Sequence, residues 1–479
     1  MPDTLDETYD RALEAIGKQK WEYAHRLFQC VAAASRPLRV KELAEFLAFD
    51  FDTDSTPTLR EDWREEDSAH AVRSTCSSLL AIVGVGRSSV IQFAHFSVEE
   101  YLTSKSLAES KDSISRFHVS MTLAHTVIAQ ACLGVLLHIH KNINKDDLEK
   151  FPLAKYAAKH WVSHARFKGV SSNIQDGMKR LLDPSRHHLS VWFWIYDPYL
   201  GTERSSYRCP SRAMGSALHY AAYCGLDDIA QFLIVERSQN VNSPGFKLNE
   251  TPLSVASRRG HSGVARVLLE HGADTEIRDD ENYSPLDWAS KNARVEVLRV
   301  LLEHADVNSS DKDGVTALHL ASWSGEVAVA QVLLANGANA NARQRDHQTP
   351  LHRAVDDRIA RVLLEHGAYL SPRDSKNQTP LHGAMEWGRT SAARVLLECG
   401  VDANARDAKN RTPLHVASEW GHFDGVRLLL QHNADVHAQD DEGRTPFQAA
   451  SSSAYATKCK RVRQLLLEHR AEDHDSETQ

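Results

Sequence analysis

Thr412-Pro413-Leu414-His415-Val416-Ala417 decides the fold, because variants of it recur down the C-terminal half at a nearly fixed period. The copies open at Ser216, Thr251, Ser284, Thr316, Thr349, Thr379, Thr412 and Thr445, with gaps of 35, 33, 32, 33, 30, 33 and 33 residues. A hydroxyl ahead of an apolar helix accepts a hydrogen bond from an early backbone N–H. Proline follows at 252, 285, 350, 380, 413 and 446, the first helical position, where its missing N–H costs little. Five residues after the hydroxyl every copy has alanine, from Ala221 to Ala450, so helix must approach helix closely. Gly260, Gly325, Gly388 and Gly421 fit left-handed caps. A Leu-Leu-Glu block then makes a second helix, and turns such as Asp311-Lys312-Asp313-Gly314 lead to the next unit.

A period near 33 around a T-P-L-H-x-A core resembles the ankyrin repeat, one β-turn and two helices per unit. The resemblance covers roughly residues 211–473. No single unit can bury its own apolar side, so stacking must supply the core. Two copies depart from the pattern. The fifth is three residues short, with Asp356-Asp357-Arg358 in place of the glycine turn, so its first helix is expected to end early and to form a weak joint that alters the curvature. In the eighth, Ala450 to Leu465 is 15 residues against 11 from Ala417 to Leu428. Its Lys458, Lys460, Arg461 and Arg463 suit the polar outer face of a capping unit.

At 479 residues the chain calls for more than one core, and 42% apolar with 25% charged residues is a globular composition. A net charge of -8 gives no electrostatic reason to expect a nucleic-acid partner. Seven scattered cysteines without C-x-x-C read as reduced thiols, so a cytoplasmic, intracellular location is expected. The opening Met1-Pro2-Asp3-Thr4-Leu5-Asp6-Glu7 is acidic and polar, unlike a secretory signal. Leu123–Ile139 is apolar but broken by His125, Gln130 and His138, which predicts a buried helix and no membrane span.

Towards the N-terminus, Thr4-Leu5-Asp6-Glu7 reads as a capping box launching a helix to about Ile16. Further helices are expected over Trp21–Ala34 and Val40–Leu47, then a polar loop from Asp50 to Asp67. Strands at Leu79–Val85 and Val90–Phe93, joined by Gly86-Arg87-Ser88-Ser89, form a hairpin. Three helices and a hairpin make a winged-helix layout. Pro2–Tyr9, Arg36–Leu43, Phe93-Ala94-His95-Phe96-Ser97-Val98-Glu99-Glu100-Tyr101-Leu102 and Leu153–Ala165 resemble fungal NACHT–ankyrin proteins of the NLR-like, STAND kind. In that family this segment follows an NTPase domain, so the resemblance implies a signalling switch and an NTPase packed on the N-terminal domain. The chain itself has no G-x-x-x-x-G-K-[ST] loop. The expected architecture is mainly α: a winged-helix-like domain (1–108), a helical connector (109–210), an ankyrin-repeat solenoid of about eight repeats (211–473) and a polar tail (474–479). The aromatic run Trp192–Tyr196 reads as packing between connector and first repeat.

No catalytic, cofactor or metal site is expected. His219, His319, His352, His382 and His415 are the motif histidines, expected to bond between neighbouring units. His271, His304, His366, His432 and His469 suit second-helix ends. His160 and His164 lie four apart but lack a third ligand. The serines lack a G-x-S-x-G elbow. A winged-helix nucleic-acid reader is opposed by Glu42 and Glu45 beside Lys41. The reading is therefore a non-enzymatic protein-interaction module, the recognition arm of a NACHT-type switch; the alternative is a free-standing ankyrin scaffold. Its partners are other proteins, met on the concave face seven and eight residues after the hydroxyls. Those positions carry Tyr223, Arg258, Arg259, Trp323, Glu386, Trp387, Glu419 and Trp420. Tryptophan and arginine are enriched at binding hot spots, and Glu386 and Glu419 point to a partner offering Lys or Arg. The missing phosphate loop predicts no ATP or GTP binding by this chain; micromolar affinity in calorimetry would contradict that.

Overall fold

Two compact units make up the chain, Met1–Asn240 and Val241–Gln479. The computed structural model describes residues 5–477 apart from 52–55, 65, 77, 85, 87–88, 111, 203–214 and 453–455. In the first unit α1 (Leu5–Glu14) and α2 (Trp21–Ala33) bury Tyr9, Leu13, Leu27 and Phe28, and Tyr9 donates to or accepts from Ser97 at 2.7 Å. Thr4, the expected cap of α1, lies outside the described residues. Strand β1 (Leu38–Arg39) leads into α3 (Val40–Glu45), whose last residues tighten into a 3₁₀ turn, Phe46–Ala48. β2 (Phe49–Asp50) pairs antiparallel with β3 (Thr58–Leu59) inside the expected loop.

A helix that the periodicity does not announce follows, α4 (Ser68–Cys76). Among its described side chains the buried ones are Ala71, Val72 and Thr75, too little to register as an apolar stripe. Its start was nonetheless written in the sequence, since the Asp67 carboxylate accepts the N–H groups of Ala69 and His70 at 2.9 and 3.0 Å. The wing is β4 (Leu80–Val83) and β5 (Val90–Phe93), with β5 central in the order β1-β5-β4 and Leu80 opposite Phe93. Much of the turn between them lies outside the described residues.

After α5 (Phe96–Leu102) and α6 (Lys105–Glu109), α7 (Met121–His138) packs on α2 and on α9 (Ala154–Ala165), with the short α8 (Lys145–Leu148) between. By length and composition α7 could cross a membrane, yet just over half of it (56%) is covered by its neighbours. Glu45 ties the winged helix to this layer: its carboxylate meets Arg64 and accepts the Leu153 N–H at 2.6 Å, while burial pushes its pKa up to about 7. α10 (Gln175–Leu182) and α11 (His188–Ile195) complete the connector. The aromatic run of α11 is buried as expected: Trp192 sits edge-on to Trp161 at 5.2 Å, and Phe193 stacks on Tyr220 at 5.8 Å. Tyr220 belongs to the first repeated helix, Ala217–Cys224, so the opening helix pair of the array lies in the same compact unit as the connector.

The second unit holds the remaining copies. Each first helix begins at its hydroxyl and each motif alanine is buried, from Ala256 at 0% exposure to Ala354 at 4%. Gly260, Gly325, Gly388 and Gly421 take φ of +86°, +78°, +67° and +72°, conformations that a Cβ would strain. The motif histidines join successive copies. In the fourth, fifth, sixth and seventh, histidine Nδ1 accepts from the threonine hydroxyl at 2.9, 3.1, 2.9 and 2.9 Å. Nε2–H of the same rings donates to the carbonyls of Gln348, Gln378, Arg411 and Arg444 at 3.1, 3.2, 3.1 and 2.9 Å. Each of those carbonyls immediately precedes the next threonine. Where the position is not histidine, the Ser254 hydroxyl bonds that of Thr251 at 3.0 Å, Asp287 accepts the Ser284 N–H at 3.0 Å, and Gln448 accepts the Thr445 N–H at 2.8 Å in the last copy.

The fifth copy does end early: its first helix is a single 3₁₀ turn, Pro350–Arg353. Asp356 caps the second helix instead, accepting from Ile359 N–H at 3.0 Å. Arg389 of the next copy donates to the carbonyl of Arg353 at 2.9 Å, replacing the missing helical bond. The final helix runs Ala456–Glu477, longer than its counterparts, so His469 lies inside it and does not end it. Cys459 of that helix sits 3.5 Å from the Ser418 carbonyl, covering the seventh copy.

The bridging histidines must be neutral to accept at Nδ1. Burial is the largest cause lowering their pKa, to about 4 for His319 and His382. Unfolded, the same rings titrate near 6.5, so the unfolded chain binds more protons between about 4 and 6.5 and stability falls as pH drops through that window. The expected loss is about 2 kcal/mol for each of His319 and His382 between pH 6.5 and 5. Glu45, with its raised pKa, pulls the other way in the other unit. Comparing melting temperatures of wild type and His382→Gln at pH 7 and pH 5 isolates the ring; the variant should show the shallower slope.

Candidate partner-binding groove

The first helices and the turns before them present one face across the second compact unit. Positions four and seven after the hydroxyl share a helix face. In the third copy these are Trp288 and Lys291. Trp288 is nearly buried and donates from Nε1 to Asp279 at 2.7 Å. Lys291 lies 4.2 Å from the Tyr283 ring and 5.0 Å from that of Trp288. Arg258 of the second copy covers the indole at 5.4 Å and pairs with buried Glu250 at 2.9 Å. Onward lies a pocket of 130 Å³ bounded by Tyr283, Leu320, Trp323, Gln344 and Arg353, with Glu281 and Asp311 also facing it.

Trp323 and Trp387 are 55% and 65% exposed, and each has an arginine over its ring: Arg353 at 5.1 Å and Arg389 at 5.8 Å. Because Arg389 also holds the Arg353 carbonyl, the two tryptophans are joined through the shortened fifth copy. Burial lowers the pKa of Arg353, with Asp346 opposing; burial and then Arg353 itself lower that of Arg389. Each guanidinium stays charged, but neither has an acidic partner within ion-pair distance among the described residues.

The other expected residues divide. Trp420 is half-buried, in the copy that the final helix covers. Glu419 is engaged by Arg411 at 3.2 Å, and Glu386 is half-buried beside Trp387. The charge lying over the exposed indoles is thus arginine from the chain itself, not a site left open for a partner's cation. Arg259 is exposed on the second copy. Tyr223 belongs to the first compact unit, edge-on to Tyr199 at 5.9 Å. Position four also lines this face. There Trp288, Leu320 and Arg353 stand about one helical turn before positions seven and eight, and that spacing is the sequence signal for them.

Elsewhere the chemistry is structural. His164 shares a hydrogen bond with His125 at 2.8 Å and with the Tyr156 hydroxyl at 2.9 Å, and burial lowers its pKa to about 3. Among the described residues no three His, Cys, Asp or Glu side chains are placed to hold a metal ion. A 720 Å³ cleft beside the wing interleaves Arg39, Lys41, Arg73 and Lys155 with Glu66, Asp67 and Glu149, which leaves no continuous basic face for phosphates.

Comparison with known proteins adds two regions of similarity. Overlapping matches to the family described as ankyrin repeats (3 copies) run from 218 to 478, more than half of the chain. Residues 9–115 match the winged helix domain of GPI inositol-deacylase. No NACHT or STAND family matches. Azaphilone pigments biosynthesis cluster protein L of Monascus ruber is 29% identical over 291 residues, 57% of this chain and 60% of that protein. Palmitoyltransferase AKR1 of Lachancea kluyveri is 30% identical over 142 residues, 29% of this chain and 19% of its own. Human palmitoyltransferase ZDHHC13 is 42% identical over 152 residues, 31% and 24% respectively. Against these relatives the chain spans three fifths of their length at most.

The exposures separate the tryptophans by stability. Trp323→Ala and Trp387→Ala should each change folding free energy by less than about 1 kcal/mol. Trp420→Ala should cost about 2 kcal/mol by removing a packed ring. Urea unfolding of the three variants checks the order, and a destabilised Trp387→Ala would contradict it.

Proposed function

Because the chain belongs to the ankyrin-repeat family, we propose that it is a protein-interaction module whose groove, centred on Trp323 and Trp387, takes up a segment of another protein. Ankyrin repeats generally mediate binding to other proteins. The observation that carries the reading is a pair of large indoles left exposed while the core alanines around them are buried. Exposed aromatic surface of this kind marks interaction sites. We read the chain as non-enzymatic. The palmitoyltransferase relatives overlap it over less than a third of its length, and the activity in their names is theirs.

The finer reading is that the array is the recognition arm of a NACHT-type switch, acting in the cytoplasm. It is supported by the likeness of Pro2–Tyr9, Arg36–Leu43 and Phe93–Leu102 to fungal NACHT–ankyrin proteins, and by a winged-helix unit ahead of the repeats. On this reading the 720 Å³ cleft beside the wing is the place for an NTPase domain to dock. The test is affinity capture with the full chain and its Trp323→Ala/Trp387→Ala variant. Partners held by the wild type should be lost from the variant at unchanged melting temperature. Equal capture by both would place the interaction elsewhere.

A further inference from the structure

We propose that the pocket between Trp323 and Arg353 takes a single side-chain carboxylate, Asp or Glu, from an extended segment of the partner protein. The inference rests on the protein-interaction reading above and names the chemistry that the groove recognises.

Arg353 carries five N–H donors, and few are used. One reaches Gln344 at a long 3.4 Å, and Nε is buried with no hydrogen-bond partner. Elsewhere in the array, Arg258, Arg278, Arg411 and Arg444 each have a carboxylate within 3.0 Å. Arg353 is half-buried like them but has none among the described residues. A desolvated guanidinium with unfilled donors is suited to a bidentate carboxylate. The Trp323 indole lies 5.1 Å from the guanidinium carbon and remains 55% exposed, able to carry the neighbouring side chain of a bound segment.

The short fifth copy sets the surroundings of this half-buried arginine. Its first helix stops at Arg353, and Asp356, seven after the hydroxyl, is spent capping the next helix and pairing with Arg358 at 2.8 Å. Arg389 is held in place by the Arg353 carbonyl and adds a second positive charge on the same side.

The surrounding acids limit what enters. Glu281 and Asp311 face the pocket, Asp346 lies near Arg353, and Glu386 flanks Trp387. Asp311 is committed to the N–H groups of Asp313 and Val315 at 2.9 and 2.8 Å, but its charge remains. A run of acids would be repelled by this ring, whereas one carboxylate flanked by neutral or basic residues satisfies both the arginine and the rim.

Selection of a phage-displayed random peptide library on the immobilised full chain tests the proposal. Enriched peptides should share one Asp or Glu among neutral or basic neighbours. In fluorescence polarisation, the best synthetic peptide should lose about tenfold or more in affinity on Glu→Gln or Asp→Asn replacement. It should lose as much against Arg353→Gln, with no further loss when both changes are combined. Arg353→Lys, which keeps the charge without the fork, should fall between, and guards against a misfolded variant. Peptides without a carboxylate, peptides needing a free C-terminal carboxylate, or unchanged binding by Arg353→Gln would overturn the inference. If Trp323→Ala/Trp387→Ala abolishes binding while Arg353→Gln does not, the groove stands and the carboxylate falls. Indifference to all variants, or no enrichment, would remove both.

Discussion

A neutral imidazole with two jobs holds the array together. Its Nδ1 closes the start of its own helix by accepting from threonine, which forces the proton onto Nε2, and Nε2–H then reaches the carbonyl just before the next threonine. Local capping and contact between neighbours are therefore one tautomer decision, not two separate interactions. Only a ring with an acceptor and a donor on opposite edges does both. Where histidine is replaced, the Ser254 hydroxyl bonds the Thr251 hydroxyl, and Asp287 accepts the Ser284 N–H while also held by Arg278 at 2.6 Å. In the last copy the side-chain carbonyl of Gln448 accepts the Thr445 N–H.

The turns obey the same economy. Asp279, Asp311, Asp374, Asp407 and Asp440 each receive backbone N–H groups two and four residues on, as Asp407 does at 2.8 Å from both Lys409 and Arg411. Burial alone would raise the Asp407 pKa; these bonds and Arg411 outweigh it and hold the carboxylate below its ordinary range. Asparagines add ties from one turn to the next, Asn341 bonding the Gly367 carbonyl at 2.9 Å and the Tyr369 N–H at 2.7 Å. Stability in such an array is a chain of similar neighbour contacts. A fault is felt next door and not far beyond.

What could be read from the sequence was whatever repeats. Thr, Pro, Ala and Gly at fixed offsets carry backbone geometry, and eight copies turn weak preferences into a clear signal. The α7 helix and the buried Trp192–Ile195 run were legible because their apolar content is extreme. α4 was not, since small buried side chains such as Ala71, Val72 and Thr75 make no stripe, although Asp67 marked its start. The groove was legible only in part. Exposure of Trp323 and Trp387 follows from their place late in the first helix. The half-burial of Trp420 depends on a helix some 40 residues later, where Cys459 lies 3.7 Å from the Glu419 carbonyl. Likewise Arg389 and Arg353 meet across 36 residues, a distance at which no local pattern speaks.

The histidine bridge also reaches across unequal lengths. It spans 29 residues from His319 to Gln348, from His382 to Arg411 and from His415 to Arg444, but 26 from His352 to Gln378. The junction is thus indexed to the next turn and not to a residue count. A gene carrying such units can gain or lose whole copies by recombination and leave each remaining junction chemically complete. It can also drop three residues within a copy, provided they come from the span between motif alanine and second helix. In this chain the shorter span belongs to the fifth copy, whose first helix ends at the half-buried Arg353.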